Sequence, residues 1–112
     1  MITARFFLKN GAVAGFEVSG HAGMDAQGHD VACASVTSAV QMAANTVTEI
    51  IGAKAGIQVD EALIKMELAD TNGAESEKAV QAVLKGMRLH LKLLTQEFQE
   101  FIRVEDMEVQ SK

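Results

Sequence analysis

The chain has 112 residues, 48% of them apolar, with one cysteine, no proline, no tryptophan or tyrosine and a formal net charge of -5. That length suits one domain around one core, burying only about two-thirds of the surface that the unfolded chain exposes. The acidic balance and the lack of Trp or Tyr to stack on bases exclude a direct nucleic-acid role, which rests on a basic surface. A basic partner would be attracted at long range, although simple solubility accounts for the charge equally well. No apolar run approaches the ~18 residues of a membrane span, so no membrane partner is expected. The first residues, Met1 to Leu8, carry Arg5 in their middle and no cleavage site after them, unlike a signal peptide. Together with a lone Cys33, which cannot close an internal disulfide, this predicts a free thiol in a reducing, cytoplasmic setting.

Ile2, Ala4, Phe6 and Leu8 alternate with Thr3, Arg5, Phe7 and Lys9, the period-two pattern of a half-buried strand. Asn10-Gly11 follows, a hairpin signal because both central residues of a type I′ turn need positive φ. A second strand is expected from Val13 to Gly20, with Phe16 and Val18 toward the core and Glu17, Ser19 and His21 on the other face. The small and polar residues from Ala22 to His29 predict a surface loop. Asp30 can then cap a helix, which makes Cys33 the third residue of its first turn. Val36, Val40, Ala43, Val47 and Ile50 recur every three or four positions, a buried face reaching about Ala55, where Gly56 would close the helix in a left-handed cap.

Ile57 and Val59 make a short strand, and Asp60-Glu61 turn into another in which Ile64, Met66 and Leu68 alternate with Lys65 and Glu67. The stretch from Thr71 to Glu75 reads as a capping box, Asn72 at N-cap and Glu75 at N3. The helix it opens carries Val80, Val83, Leu84, Met87, Leu91, Leu94 and Phe98 on one stripe. Leu89 and Leu93 lie off that stripe, either as a self-association face or as a wide footprint on a curved sheet. Phe101 to Glu105 return as a last strand. The order ββαββαβ predicts a two-layer α+β fold, a mixed β-sheet with two α-helices packed on one face, as a single domain over 1–112.

A thiol is nucleophilic as its thiolate, and a helix N-terminus or a neighbouring imidazolium lowers its pKa from about 8.5 to about 3.5–7.5. Cys33 sits where a helix starts, and His21 leaves the preceding strand across a loop able to bring the two together. The free N–H groups of a first turn can also hold an oxyanion. Two other readings stand beside this one. Cysteine among Val31, Ala32 and Ala34 is often simple packing, and His29 four residues before Cys33, with His21, makes an incomplete zinc set. His90 reads as a helix histidine without a role, and no Gly-Lys-Ser/Thr follows the glycines to make a phosphate loop.

Gly20-His21-Ala22, then Gly28-x-Asp30-x-x-Cys33-Ala34, then a hydroxyl at Thr37, resembles the signature of the ribosomal-processing cysteine protease family, Prp, and the resemblance extends over the chain. It implies a Cys-His dyad endopeptidase with His21 and Cys33 in those positions, needing no metal or cofactor and acting as a homodimer. It also implies a basic ribosomal protein as substrate: the N-terminal extension of bacterial large-subunit ribosomal protein twenty-seven, removed during ribosome assembly. On this view the N–H groups near Cys33 and Ala34 hold the oxyanion. The loop bearing Ala22, Gly23 and Gly28 orders over the substrate. Asp30 matches the family as a helix cap, as an orienter of His21, or as both. Thr37 departs from the usual serine, with Ser38 beside it, and its methyl changes how base or substrate is held. The competing class is a non-catalytic, dimeric ribosome-assembly or peptide-binding module, in which a peptide pairs with a sheet edge and Cys33 is inert.

Overall fold

A computed structural model describes residues 1–20, 29–60 and 62–109, without the side chains of His29 and Asp30. The first hairpin forms as its turn chemistry requires. β1 (Ile2–Lys9) and β2 (Ala12–Ser19) pair antiparallel across Asn10 at φ 53° and Gly11 at φ 82°. Alternation puts Ile2, Ala4, Phe6, Phe16 and Val18 on one face, and Val13 joins them across a register shift; all six are buried. Phe6 and Phe16 are register partners and meet edge to face at 6.3 Å, a contact worth about 0.5–1.5 kcal/mol beyond the area it buries.

The register shifts between Phe7, opposite Gly15, and Leu8, opposite Val13. Gln81 of the second helix covers the peptide groups at this bulge: its Oε1 accepts from the Val13 N–H at 2.7 Å and its Nε2 donates to the Val13 carbonyl at 2.9 Å. One side chain thereby ties the helix layer to the irregular point of the sheet.

α1 (His29–Asn45) continues into a wider π-helical segment, Thr46–Ile51, which Gly52 closes in the left-handed region at φ 82°. The helical path therefore ends earlier than the expected Ala55, and Gly52 takes the capping role predicted for Gly56. Gly56 instead lies in β3 (Lys54–Asp60), opposite Glu67 of β4 (Leu63–Asp70). The segment expected from Ile57 alone is thus a full strand, because pairing with β4 reaches back to Lys54. Val36, Val40, Ala43 and Val47 are buried as predicted, but Ile50 is 80% exposed while Ile51 packs against the core. The reason is the π-turn: i→i+5 bonding adds a residue to the turn and rotates the stripe by one position.

α2 (Ala74–Glu97) buries Val80, Leu84, Met87 and Leu91. Its N-cap is Gly73, without a side-chain cap, in place of the expected Asn72–Glu75 box. Asn72 adopts φ 63° and its Nδ2 donates to the Gly52 carbonyl at 3.1 Å, so it serves the end of the other helical segment. β5 (Ile102–Glu108), longer than predicted, runs parallel to β1. The sheet order is β3-β4-β2-β1-β5, mixed and five-stranded, with the two helices on one face, as the element order implied. The other face carries a ladder of charges: Arg5 to Glu105 at 3.0 Å, Arg5 to Glu17 at 3.4 Å, Arg103 to Glu105 at 3.4 Å and Lys65 to Glu67 at 3.3 Å. Exposed pairs of this kind are screened by solvent, so they mark the solvent face more than they stabilise it.

Candidate active site

Cys33 is the fifth residue of α1, on its second turn rather than third in its first. The start at His29 also places Asp30 inside the helix instead of at its N-cap. The unpaired N–H groups of a helix are those of its first turn, so those of Cys33 and Ala34 fall within the hydrogen-bond ladder.

Cys33 is half-buried. It lines a cavity of about 210 Å³ with Thr37 and Gln41, each one turn further along α1, and with Val36 between them. Ile2, Val18 and Ser19 of the hairpin, Leu63 and Ile64 of β4, and Val59 and Asp60 of β3 complete the lining. The cavity is therefore an apolar hollow between one helix flank and the end of the sheet, with a thiol and a few polar groups on its wall. Such a lining accepts an apolar side chain while presenting the main chain beside it to the sulfur.

β2 delivers the chain to this same place. Ser19 lines the cavity, and Gly20 follows it at φ 87°, its N–H donating to the Ala62 carbonyl at 3.1 Å. A Cβ at Gly20 would collide with the Met1 carbonyl oxygen, so the turn away from the strand here needs glycine twice over, for its φ and for its size. The next residue is His21. It lies outside the described residues, as do the expected loop residues Ala22, Gly23 and Gly28 and the side chain of Asp30.

Of the supporting residues, Thr37 faces the cavity one turn below the thiol, whereas Ala34 is exposed. Sequence reasoning passed over Gln41, which the spacing of four from Thr37 could have revealed. It had no means of finding Val59, Asp60, Leu63 and Ile64, which reach the thiol only through strand pairing. Among the described residues no three His, Cys, Asp or Glu side chains stand together as a metal set. His90 is exposed and borders a groove between the helices with Ala39, Met42, Thr46 and Gly86. Among the described residues no helix is long and apolar enough to cross a membrane.

Comparison with known proteins identifies the fold and the family. The chain is 28% identical over 91 residues, 80% of its length and 81% of the relative's, to the ribosomal processing cysteine protease Prp of Bacillus subtilis. Its fold is similar to that of an essential ribosomal processing protease Prp from S. aureus crystallised with a substrate peptide, at a TM-score of 0.86 and 24% identity, covering 96% of this chain and 100% of that one. A crystal structure of Prp from S. aureus with a covalently linked product peptide superposes at a TM-score of 0.79 and 24% identity, with the same coverage. The family description "Cysteine protease Prp" matches residues 1–103. The family match makes the chain an enzyme rather than an inert binding module: it belongs to the cysteine protease Prp family, ribosomal processing hydrolases that act through a thiol.

Proposed function

We propose that the chain, as one domain over 1–112, is a Cys33-His21 dyad endopeptidase that removes the N-terminal extension of bacterial large-subunit ribosomal protein twenty-seven in the cytoplasm. The observation that carries this reading is the convergence of two elements on one cavity. The α1 flank brings Cys33 there, and Val18 and Ser19 at the end of β2, with only Gly20 between Ser19 and His21, border the same space.

In the proposed reaction the Sγ thiolate bonds to the scissile carbonyl carbon, and the carbonyl π pair moves onto oxygen. The N–H groups that open α1 hold that oxyanion, a role revised from Cys33 and Ala34 because theirs fall within the helical ladder. Collapse breaks the C–N bond, and the leaving amine takes a proton from the His21 imidazolium. Water then adds to the thioester while the imidazole accepts its proton, and the carboxylate product leaves with the thiol restored. Thr37, beside the sulfur, helps to position the substrate. Asp30 supports the helix start or His21, and the loop with Ala22, Gly23 and Gly28 contacts the peptide.

The net charge of -5 favours a basic ribosomal protein as the partner. A homodimer has an available surface: Leu89 and Leu93 are 58% and 54% exposed on α2, and Met42 of α1 is 67% exposed; exposed apolar patches mark association faces.

Cleavage of a synthetic peptide spanning the extension's cut site is the test. Cys33→Ala and His21→Ala should each lower kcat/KM by at least about a thousandfold while the fold is kept. Full activity in either variant removes that residue from the mechanism. Rapid iodoacetamide labelling of Cys33 at neutral pH, slowed in His21→Ala, is the expected signature of the dyad.

A further inference from the structure

Among the described residues that line the Cys33 cavity, one side chain carries a full charge, that of Asp60 at the end of β3; apart from the thiol, every other lining side chain is neutral. The Asp60 carboxylate is half-engaged. Gln58 Nε2 donates to its Oδ2 at 2.9 Å, while Oδ1 has no partner among the described residues. Nearby charges on the neighbouring strands are taken up elsewhere: Lys65, opposite Gln58, pairs with Glu67 at 3.3 Å, and Glu17 pairs with Arg5 at 3.4 Å.

Strand pairing puts this carboxylate at the sheet end where β2 finishes. Ser19 is opposite Leu63 and Leu63 is opposite Asp60, so one row of the sheet crosses from β2 through β4 to β3, and all three of its residues line the cavity. With strands about 4.8 Å apart the row is about 10 Å wide, within reach of two side chains joined by a hydrogen bond. The chain continues from Ser19 through Gly20, whose N–H donates to the Ala62 carbonyl, and the next residue is His21. The thiol comes from the other wall, on α1. A thiolate and a carboxylate on one cavity repel each other, and a cation between them is attracted by both. Among the described residues the lining supplies the two anions and no cation.

We infer that Asp60 is a positioning residue for the general base, its carboxylate holding the imidazolium that pairs with the Cys33 thiolate. This rests on the dyad reading above and adds the group that orients its histidine. The proton moves only from sulfur to an imidazole nitrogen. The carboxylate stays ionised and accepts a hydrogen bond from the other ring nitrogen, which fixes the nitrogen that faces the sulfur. Asp60 thus acts through the base and touches neither the scissile bond nor the sulfur. An imidazolium held beside a carboxylate keeps its proton to higher pH, and so has it available for the leaving amine.

The test is the pH profile of cleavage of the synthetic cut-site peptide by Asp60→Asn. At neutral pH kcat should fall about tenfold or more with KM unchanged. The alkaline limb of kcat/KM, where the imidazolium loses its proton, should move down by about one pH unit. Asp60→Glu should restore most of both, and Glu100→Gln, the same loss of charge away from the cavity, should change neither. Asp60 is exposed, so Asp60→Asn should keep the fold, which urea unfolding checks. An unmoved alkaline limb overturns the inference. So does a raised KM at constant kcat, which would give the carboxylate to the peptide instead. The same shift found in Asp30→Asn or Glu61→Gln, but absent from Asp60→Asn, overturns it by giving the role to another carboxylate. A wild-type chain that leaves the peptide uncut breaks the dyad reading itself.

Discussion

At one edge of the sheet β5 lies parallel to β1 along its whole length, from Ile2 opposite Ile102 to Leu8 opposite Glu108, and the Ile2 N–H donates to the Phe101 carbonyl at 2.7 Å. Arg88 of α2 reaches across to the Asp106 carboxylate with two nitrogens, one of them at 2.8 Å, and Arg5 binds Glu105 on the outer face. At the other edge β3 has, among the described residues, one partner strand, exposed apolar side chains and an end that lines the cavity with Cys33. The difference separates a scaffold from a working margin. Among the described residues the fold concentrates its cross-links at the β1-β5-α2 end, and fewer of them hold the α1-β3 end.

The largest expected effect on this contrast comes from the scaffold. Phe6→Ala, at a fully buried ring against Phe16, should cost about 3–5 kcal/mol in denaturant unfolding. If it costs no more than a surface substitution, the core is not centred on the hairpin. Gly20→Ala should cost about 1–3 kcal/mol, from the positive φ and the collision with the Met1 carbonyl. Because Gly20 precedes His21, cleavage should fall by more than the loss of folded protein accounts for, which activity normalised to folded fraction checks.

Smaller effects test the links between layers. Gln81→Ala leaves the Val13 N–H and carbonyl without their side-chain partner and should cost about 1–3 kcal/mol, with cleavage per folded molecule unchanged. Asp106→Asn should cost about 1 kcal/mol or less at neutral pH, measured by urea unfolding. The hydrogen bond from Arg88 holds the Asp106 carboxyl below its usual value of 3.8, against a smaller opposing effect of desolvation. A carboxyl depressed in the folded state contributes stability above its unfolded pKa and loses it as the pH falls through the folded one. The difference between wild type and Asp106→Asn should therefore be constant from about pH 5 to 8 and shrink below about pH 4. A difference that grows on acidification would contradict the pairing.

Much of this architecture was readable along the chain, because alternation and turn chemistry act between near neighbours. The Asn10-Gly11 turn, the inward faces of the hairpin, the α2 stripe and the order ββαββαβ all came from residues a few positions apart. The position of Cys33 near a helix start was readable for the same reason. The site around it was not: Val59, Asp60, Leu63 and Ile64 reach the thiol only because β4 pairs with β2 and β3 with β4.

The sequence by itself determined which segments alternate, which spiral and where a tight turn with positive φ forms, since each depends on local sterics and on the spacing of apolar side chains. The tertiary structure chose between Gly52 and Gly56 as the helix end, through the Asn72 bond to the Gly52 carbonyl and the β3 pairing that begins at Lys54. It also left Ile50 outside and Ile51 inside and set β5 parallel to β1. These outcomes depend on partners distant in the chain, whose hydrogen bonds and packing decide among local conformations of nearly equal energy.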